Sequence, residues 1–260
     1  MPTLRLYALP ADAPPEALVG VTVIVVDLLR ASTTICAALA GGAECVMPFA
    51  EIEETMAAAA RFGRQNVLLG GERGGKLIPG FDLGNSPAEY TPQRIAGRRI
   101  LFTTTNGARA LEHARGAQRV LVGAAVNRAA VARAASDACG VTILCAGTDG
   151  QYTDEDMLAG GAIAQAIAGT ASDWQISPDA AEAIRYWRTQ VAERPGSPMT
   201  VEEAFAWTLE GTPGGRNLID IGMADDLPRC ARLDVCDIVP ELSSATNELR
   251  PAIAPYPPRS

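Results

Sequence analysis

Apolar and polar positions fall along the chain in a repeating order: a short apolar run, a polar turn, then an alanine-rich stretch with helical spacing. VTVIVV (21–26) is a continuous apolar, β-branched run, the pattern of a strand buried on both faces in a parallel sheet. It ends at Asp27, and the following stretch, capped by Ser32 or Thr33, reads as a helix stopped by Gly41 and Gly42. The order recurs as a strand near Cys45 to Pro48, a helix from Glu51 to Phe62, the strand NVLLG, the strand from Arg99 to Phe102 and a helix opened by Asn106 and Gly107. RVLVG and VTILCAG supply two more strands, each followed by a helix. This alternation predicts an α/β fold with a largely parallel or mixed central sheet and flanking helices. Residues 1–245 read as a single catalytic unit, with a division into two lobes left open and a helical insertion near 170–200. The C-terminal part reads as helices near Val201 to Glu210 and Gly215 to Ile221, a final strand from Ala231, and an extended proline-rich tail at 246–260.

Polar residues gather where the strands end, and in open α/β sheets ligands bind beyond the carboxyl ends of the strands. Asp27, Arg30, Ser32, Thr33 and Thr34 occupy one such position, and Thr103, Thr104, Thr105 and Asn106 another. Strand NVLLG runs into GGERGGKLIPGFDLGNSP (70–87), a glycine-rich loop carrying Glu72, Arg73, Lys76, Asp82, Asn85 and Ser86. Glycines let backbone N–H groups approach an anion closely. Arg73 and Lys76 would neutralise that anion, and Glu72 and Asp82 suit an anion that arrives with a divalent cation. Asp154, Glu155 and Asp156 open a further helix, where either the helix dipole or a metal accounts for acidic residues.

Charge and composition narrow the chemistry. A net charge of -8 without a basic cluster argues against nucleic acid as the partner. No apolar run spans a bilayer and no signal segment is evident, so the expectation is a cytoplasmic protein without a membrane partner. The six cysteines form no CxxC pair, and the single histidine, His113, lies in a helical stretch. Acid–base or metal chemistry therefore rests on carboxylates, hydroxyls, lysine or cysteine. The alanine-rich chain is compatible with a homodimer.

Three phosphate motifs fail. Gly70 to Lys76 fits GxxxxGK, but Leu77 replaces the required Ser or Thr, and the proline-containing continuation cannot start a helix. Cys145 is followed six positions on by Gln151 rather than arginine, and Asp27 is followed two positions on by Leu29 rather than aspartate. Neither a cysteine phosphatase nor a two-aspartate phosphatase is indicated.

Taken together, VVDLLRASTTI, GGERGGKLIPGFDLGNSP, TTTNGARAL, CAGTDGQYTDEDMLAG and LDVCDIVPEL resemble the 2-phosphosulfolactate phosphatase family in order and spacing, from about residue 20 to 240. The resemblance implies a Mg2+-dependent phosphatase with a family-specific α/β fold, converting 2-phospho-3-sulfolactate to sulfolactate and phosphate in coenzyme M biosynthesis. Other 2-hydroxy acid phosphates are the alternative substrates, and a non-catalytic sensor of a phosphorylated or sulfonated acid is the alternative function. The catalytic candidates are Asp27, Arg30, Glu72 and Arg73. Substrate-binding candidates are Ser32, Thr33, Lys76, Asn85, Ser86, Thr104, Thr105 and Asn106, and metal candidates are Asp27, Glu72, Asp82, Glu155 and Asp156. The nucleophile is either a water activated by a carboxylate or Asp27 itself.

Overall fold

The computed structural model describes residues 1–171, 173–194 and 198–252. Its strands are β1 (Thr3–Tyr7), β2 (Thr22–Val26), β3 (Cys45–Phe49), β4 (Val67–Arg73), β5 (Lys76–Leu77), β6 (Arg99–Thr103), β7 (Arg119–Val122), β8 (Gly140–Cys145), β9 (Gln175–Ile176), β10 (Pro240–Ser243) and β11 (Glu248–Pro251). They form one mixed sheet in the order β5-β4-β6-β3-β11-β10-β7-β2-β8-β1-β9. The helices are α1 (Pro15–Leu18), α2 (Ala31–Ala40), α3 (Ile52–Phe62), α4 (Pro92–Ile95), α5 (Gly107–His113), α6 (Arg128–Ala134), α7 (Asp154–Ala168), α8 (Pro178–Trp187), α9 (Val201–Glu210), α10 (Pro213–Asp220) and α11 (Asp226–Cys230).

Two parallel blocks make up the sheet. β4, β6 and β3 pair in parallel, as do β7, β2, β8, β1 and β9. Between them lies the antiparallel hairpin β10–β11, which touches β7 and β3 through one residue pair each. β2 and β8 are buried at every position, which accounts for their uninterrupted apolar sequence. The segments that follow β2 and β4 meet across the junction, where Arg30 Nη2 donates to the Gly75 carbonyl at 2.7 Å.

Several expectations from the sequence change. The strand expected from Ala231 is confined to Pro240–Ser243, and the preceding stretch is irregular. Part of the expected tail, Glu248–Pro251, is β11, with Leu249 fully buried against the register partners Leu242 and Val46. The remainder of that tail beyond Ala252 lies outside the described residues, as do Ser172 and 195–197. Within 170–200, β9 extends the sheet beside β1 and α8 packs along α7, with Trp187 buried against Phe205 at a ring separation of 5.0 Å. The glycine-rich stretch is not all loop: β4 continues through Arg73 and returns as β5 through Gly74 and Gly75, both at positive φ, a two-residue turn that matches strand twist. β1, which alternates buried and half-buried residues, is a strand the sequence reading did not include. Among the described residues no helix is long and apolar enough to cross a membrane.

Because Leu249 joins the two blocks, Leu249→Ala should destabilise the fold by about 2–5 kcal/mol. Chemical denaturation measures this, and a loss below about 1 kcal/mol would show that the hairpin is peripheral.

Candidate active site

Asp27 follows β2, and a pair of bonds fixes the turn behind it. Its N–H donates to Ser32 Oγ at 2.9 Å, and the Ser32 N–H donates back to its carbonyl at 2.8 Å. Ser32 thus shapes the turn, and Thr33 Oγ1 donates to the Leu28 carbonyl at 3.1 Å. On the other block, Thr104 Oγ1 accepts from Ala108 N and opens α5. The absence of a side chain at Gly107 permits the approach of Asp27, since a Cβ there would lie 2.8 Å from Asp27 Oδ2.

These strand ends enclose a cavity of about 360 Å3, lined among others by Asp27, Arg30, Glu72, Asn85, Thr105, Asn106, Asp149, Glu155, Asp156, Gly214 and Asn217. Two larger hollows, of about 700 and 510 Å3, contain none of the predicted site residues except Thr33. Five carboxylates and one guanidinium face the smaller cavity. That balance is unfavourable for carboxylates with little access to water. The Asp27 carboxyl is raised to about 7, mainly by burial and further by Glu72 and Glu155. Burial also raises Glu155, and burial followed by the charge of Asp27 raises Asp156 well above the usual range.

The carboxylates have different partners. Asp156 accepts from Leu28 N at 2.8 Å and Gly147 N at 3.0 Å, tying the ends of β2 and β8 together. Glu72 accepts from Gly75 N at 2.7 Å and Thr105 N at 3.1 Å, joining the hairpin turn to the end of β6. Glu155 is 3% exposed, and its Oε2 is buried with no hydrogen-bond partner. Asn85 Oδ1 is likewise buried and unpartnered at the cavity wall. Gly214, in the first turn of α10, gives Glu155 its room, because a Cβ there would fall 2.1 Å from Oε1.

Not every predicted residue reaches the cavity. Asp82, expected among the metal carboxylates, instead accepts from Leu69 N at 2.8 Å and pairs with Arg64 at 2.9 Å, fixing the loop after β5. Arg73, expected on the anion, donates to the carbonyls of Glu72 and Ala50 and to Thr103 Oγ1, so its guanidinium is a brace. Lys76 is exposed on β5, outside the cavity lining. Ser86 Oγ points to Asp226 Oδ1 at 2.6 Å. Asn106 does line the cavity, and its Oδ1 accepts from Asp149 N at 3.1 Å, holding the loop after β8. His113 lies away from the cavity and contacts the Ala13 carbonyl.

The sequence reading assigned no role to Asp149, Gly214, Asn217 or Asp226. Thr212 capping Gly215 N at 3.0 Å with Pro213 behind it is a readable helix start. Asp226 carries no local signal, because its partners lie 140 and 196 residues away.

Among the described residues no three His, Cys, Asp or Glu side chains converge in metal-binding geometry. Mg2+, however, keeps several waters and needs only one or two carboxylates. Unpartnered Glu155 Oε2 and the like-charged, partly open Asp27 supply hard oxygen donors that suit such a cation.

The fold and site define the class: an α/β protein with an acidic cavity at the ends of its sheet strands. The chain belongs to the 2-phosphosulpholactate phosphatase family, whose family model it matches over residues 7–245. It is 41% identical over 228 residues to a probable 2-phosphosulfolactate phosphatase of Symbiobacterium thermophilum, covering 87% of this chain and 93% of the relative. A protein of the same description from Gloeobacter violaceus is 38% identical over 224 residues, covering 85% and 88% respectively.

The raised Asp27 carboxyl has a consequence for folding. Between 3.8 and about 7 the folded chain retains a proton that the unfolded chain has released, so stability from this group falls as pH rises through that window. In EDTA, Asp27→Asn should melt several degrees above the parent near pH 8 and little above it near pH 4, where Asp27 is neutral in the folded chain and only beginning to ionise in the unfolded one. Equal melting temperatures near pH 8 would show that Asp27 is not under this strain.

Proposed function

We propose that the protein hydrolyses the phosphate ester of a small 2-hydroxy acid bearing a further anionic group, with 2-phospho-3-sulfolactate as substrate and Mg2+ as cofactor. The observation that carries this reading is the cavity's excess of carboxylates over cations in a member of this family. A multiply charged anion would be repelled from Asp27, Glu72, Asp149, Glu155 and Asp156 unless a cation stands between them.

Glu155 and Asp27 are the residues that would hold the ion. When bound, Mg2+ supplies charge neutralisation and polarises the phosphoryl oxygens. Asp27 is the carboxylate that takes a proton from the attacking water. Arg30, Asn85 and Asn217 line the cavity as donors to substrate oxygens. Asp156 and Glu72 keep the three strand ends in register, so they support the reaction through geometry.

The test is phosphate release from 2-phospho-3-sulfolactate, phospholactate, phosphoglycolate and para-nitrophenyl phosphate, with Mg2+ and with EDTA. Release should be greatest on the sulfonated substrate and absent in EDTA. Glu155→Gln should lower kcat/KM on the order of 100-fold or more, with partial recovery at high Mg2+. Full activity in EDTA or in Glu155→Gln would contradict the metal assignment, and ligand binding without release from any substrate would indicate a sensor.

A further inference from the structure

Among the described residues, the cavity's one guanidinium is held by a residue from a distant part of the chain. Arg30 Nη1 donates to Asp226 Oδ2 at 2.6 Å, with the two side chains 2% and 4% exposed, and its Nη2 donates to the Gly75 carbonyl at 2.7 Å. The second oxygen of Asp226 accepts from Ser86 Oγ at 2.6 Å. Asp226 opens α11, whereas Arg30 precedes α2 and Ser86 ends the glycine-rich stretch. Three separated segments therefore meet in one buried network.

The network fixes the guanidinium without exhausting it. A guanidinium has five N–H donors in a rigid fork, and these contacts engage two. The charged groups acting most on Asp27 are Glu72 and Glu155, while Arg30 faces Asp226 and the Gly75 carbonyl. The cavity thus has an acidic end at Asp27 and Glu155, where a cation would screen the phosphoryl group, and a guanidinium end at Arg30, whose charge is left for another anionic group of the substrate.

Resting on the phosphatase reading, we propose that Asp226 is the positioning residue that presents Arg30 to the substrate's second, non-transferred anionic group, a carboxylate or sulfonate. The Arg30–Asp226 unit then sets specificity for phospho acids over simple phosphate esters. Removing the charge of Asp226 frees the fork to rotate and costs affinity at this end alone.

The two reaction products read the two ends without turnover. Binding of sulfolactate and of inorganic phosphate to the full chain in Mg2+ is followed by calorimetry. Asp226→Asn should weaken sulfolactate about tenfold or more while phosphate stays within about twofold. In an Arg30→Lys background Asp226→Asn should add nothing further. Ser86→Ala, which keeps the ion pair, should shift sulfolactate in the same direction by a smaller factor, and it decides the matter if Asp226→Asn does not fold. Equal losses for both ligands, no loss for sulfolactate, full additivity with Arg30→Lys, or a parent protein that binds neither ligand would overturn the proposal. A parent that binds both products but releases no phosphate would defeat the catalytic reading and leave the Arg30–Asp226 assignment standing.

Discussion

Like-charge crowding is the constraint around which this structure is arranged. Asp27, Glu155 and Asp156 share a poorly solvated region at the ends of β2 and α7, and each is pushed toward its neutral form, first by burial. A fold that only needed to close would place amides or apolar groups there, since buried charges without partners are costly. Two of the cavity's carboxylates are relieved by structure: Asp156 and Glu72 each accept two backbone N–H groups and staple strand ends together. Glu155 is relieved only in part: hydrogen bonds from its own backbone, Thr212 and the Gly214 backbone favour its charged form, but its Oε2 has no partner. The carboxylates that remain outnumber the guanidinium of Arg30 in the cavity lining.

Topology brings these groups together. Parallel strands present carboxyl ends on one side, but the two blocks here run in opposite senses across the β10–β11 hairpin. Their ends nonetheless meet, with Arg30 bonded to the Gly75 carbonyl, while α2 packs on β3, β7 and β10 at the junction. Close backbone approaches fix the geometry around the cavity. At Gly71, a Cβ would lie 1.9 Å from the Thr103 carbonyl, and its φ of 128° suits only glycine. The same logic explains Gly214 against Glu155.

Much of this was legible in the chain. Continuous apolar runs such as VTVIVV identified the buried strands, and polar residues at their ends pointed to Asp27, Arg30, Glu72, Asn85 and Thr105, all of which line the cavity. What the pattern could not show was partnership. Asp82, Arg73 and Ser86 read as candidate ligands because their residue types suit anions and cations, yet each is engaged by a neighbour that only folding supplies. Asp226 was silent for the complementary reason, since its role depends on contacts far away in sequence. β11 was hidden because a short polar strand at the start of a proline-rich tail owes its burial to β3 and β10 rather than to its own periodicity.

If a cation at the carboxylates makes the cavity receptive to an anion, the two ligands are coupled and the coupling is reciprocal. The direct measurement is calorimetric titration of inorganic phosphate into the full chain with Mg2+ and with EDTA, together with Mg2+ titrations in the presence and absence of phosphate. The account predicts phosphate binding that disappears in EDTA and Mg2+ affinity that rises by the same factor when phosphate is present. Phosphate affinity independent of Mg2+ would contradict it.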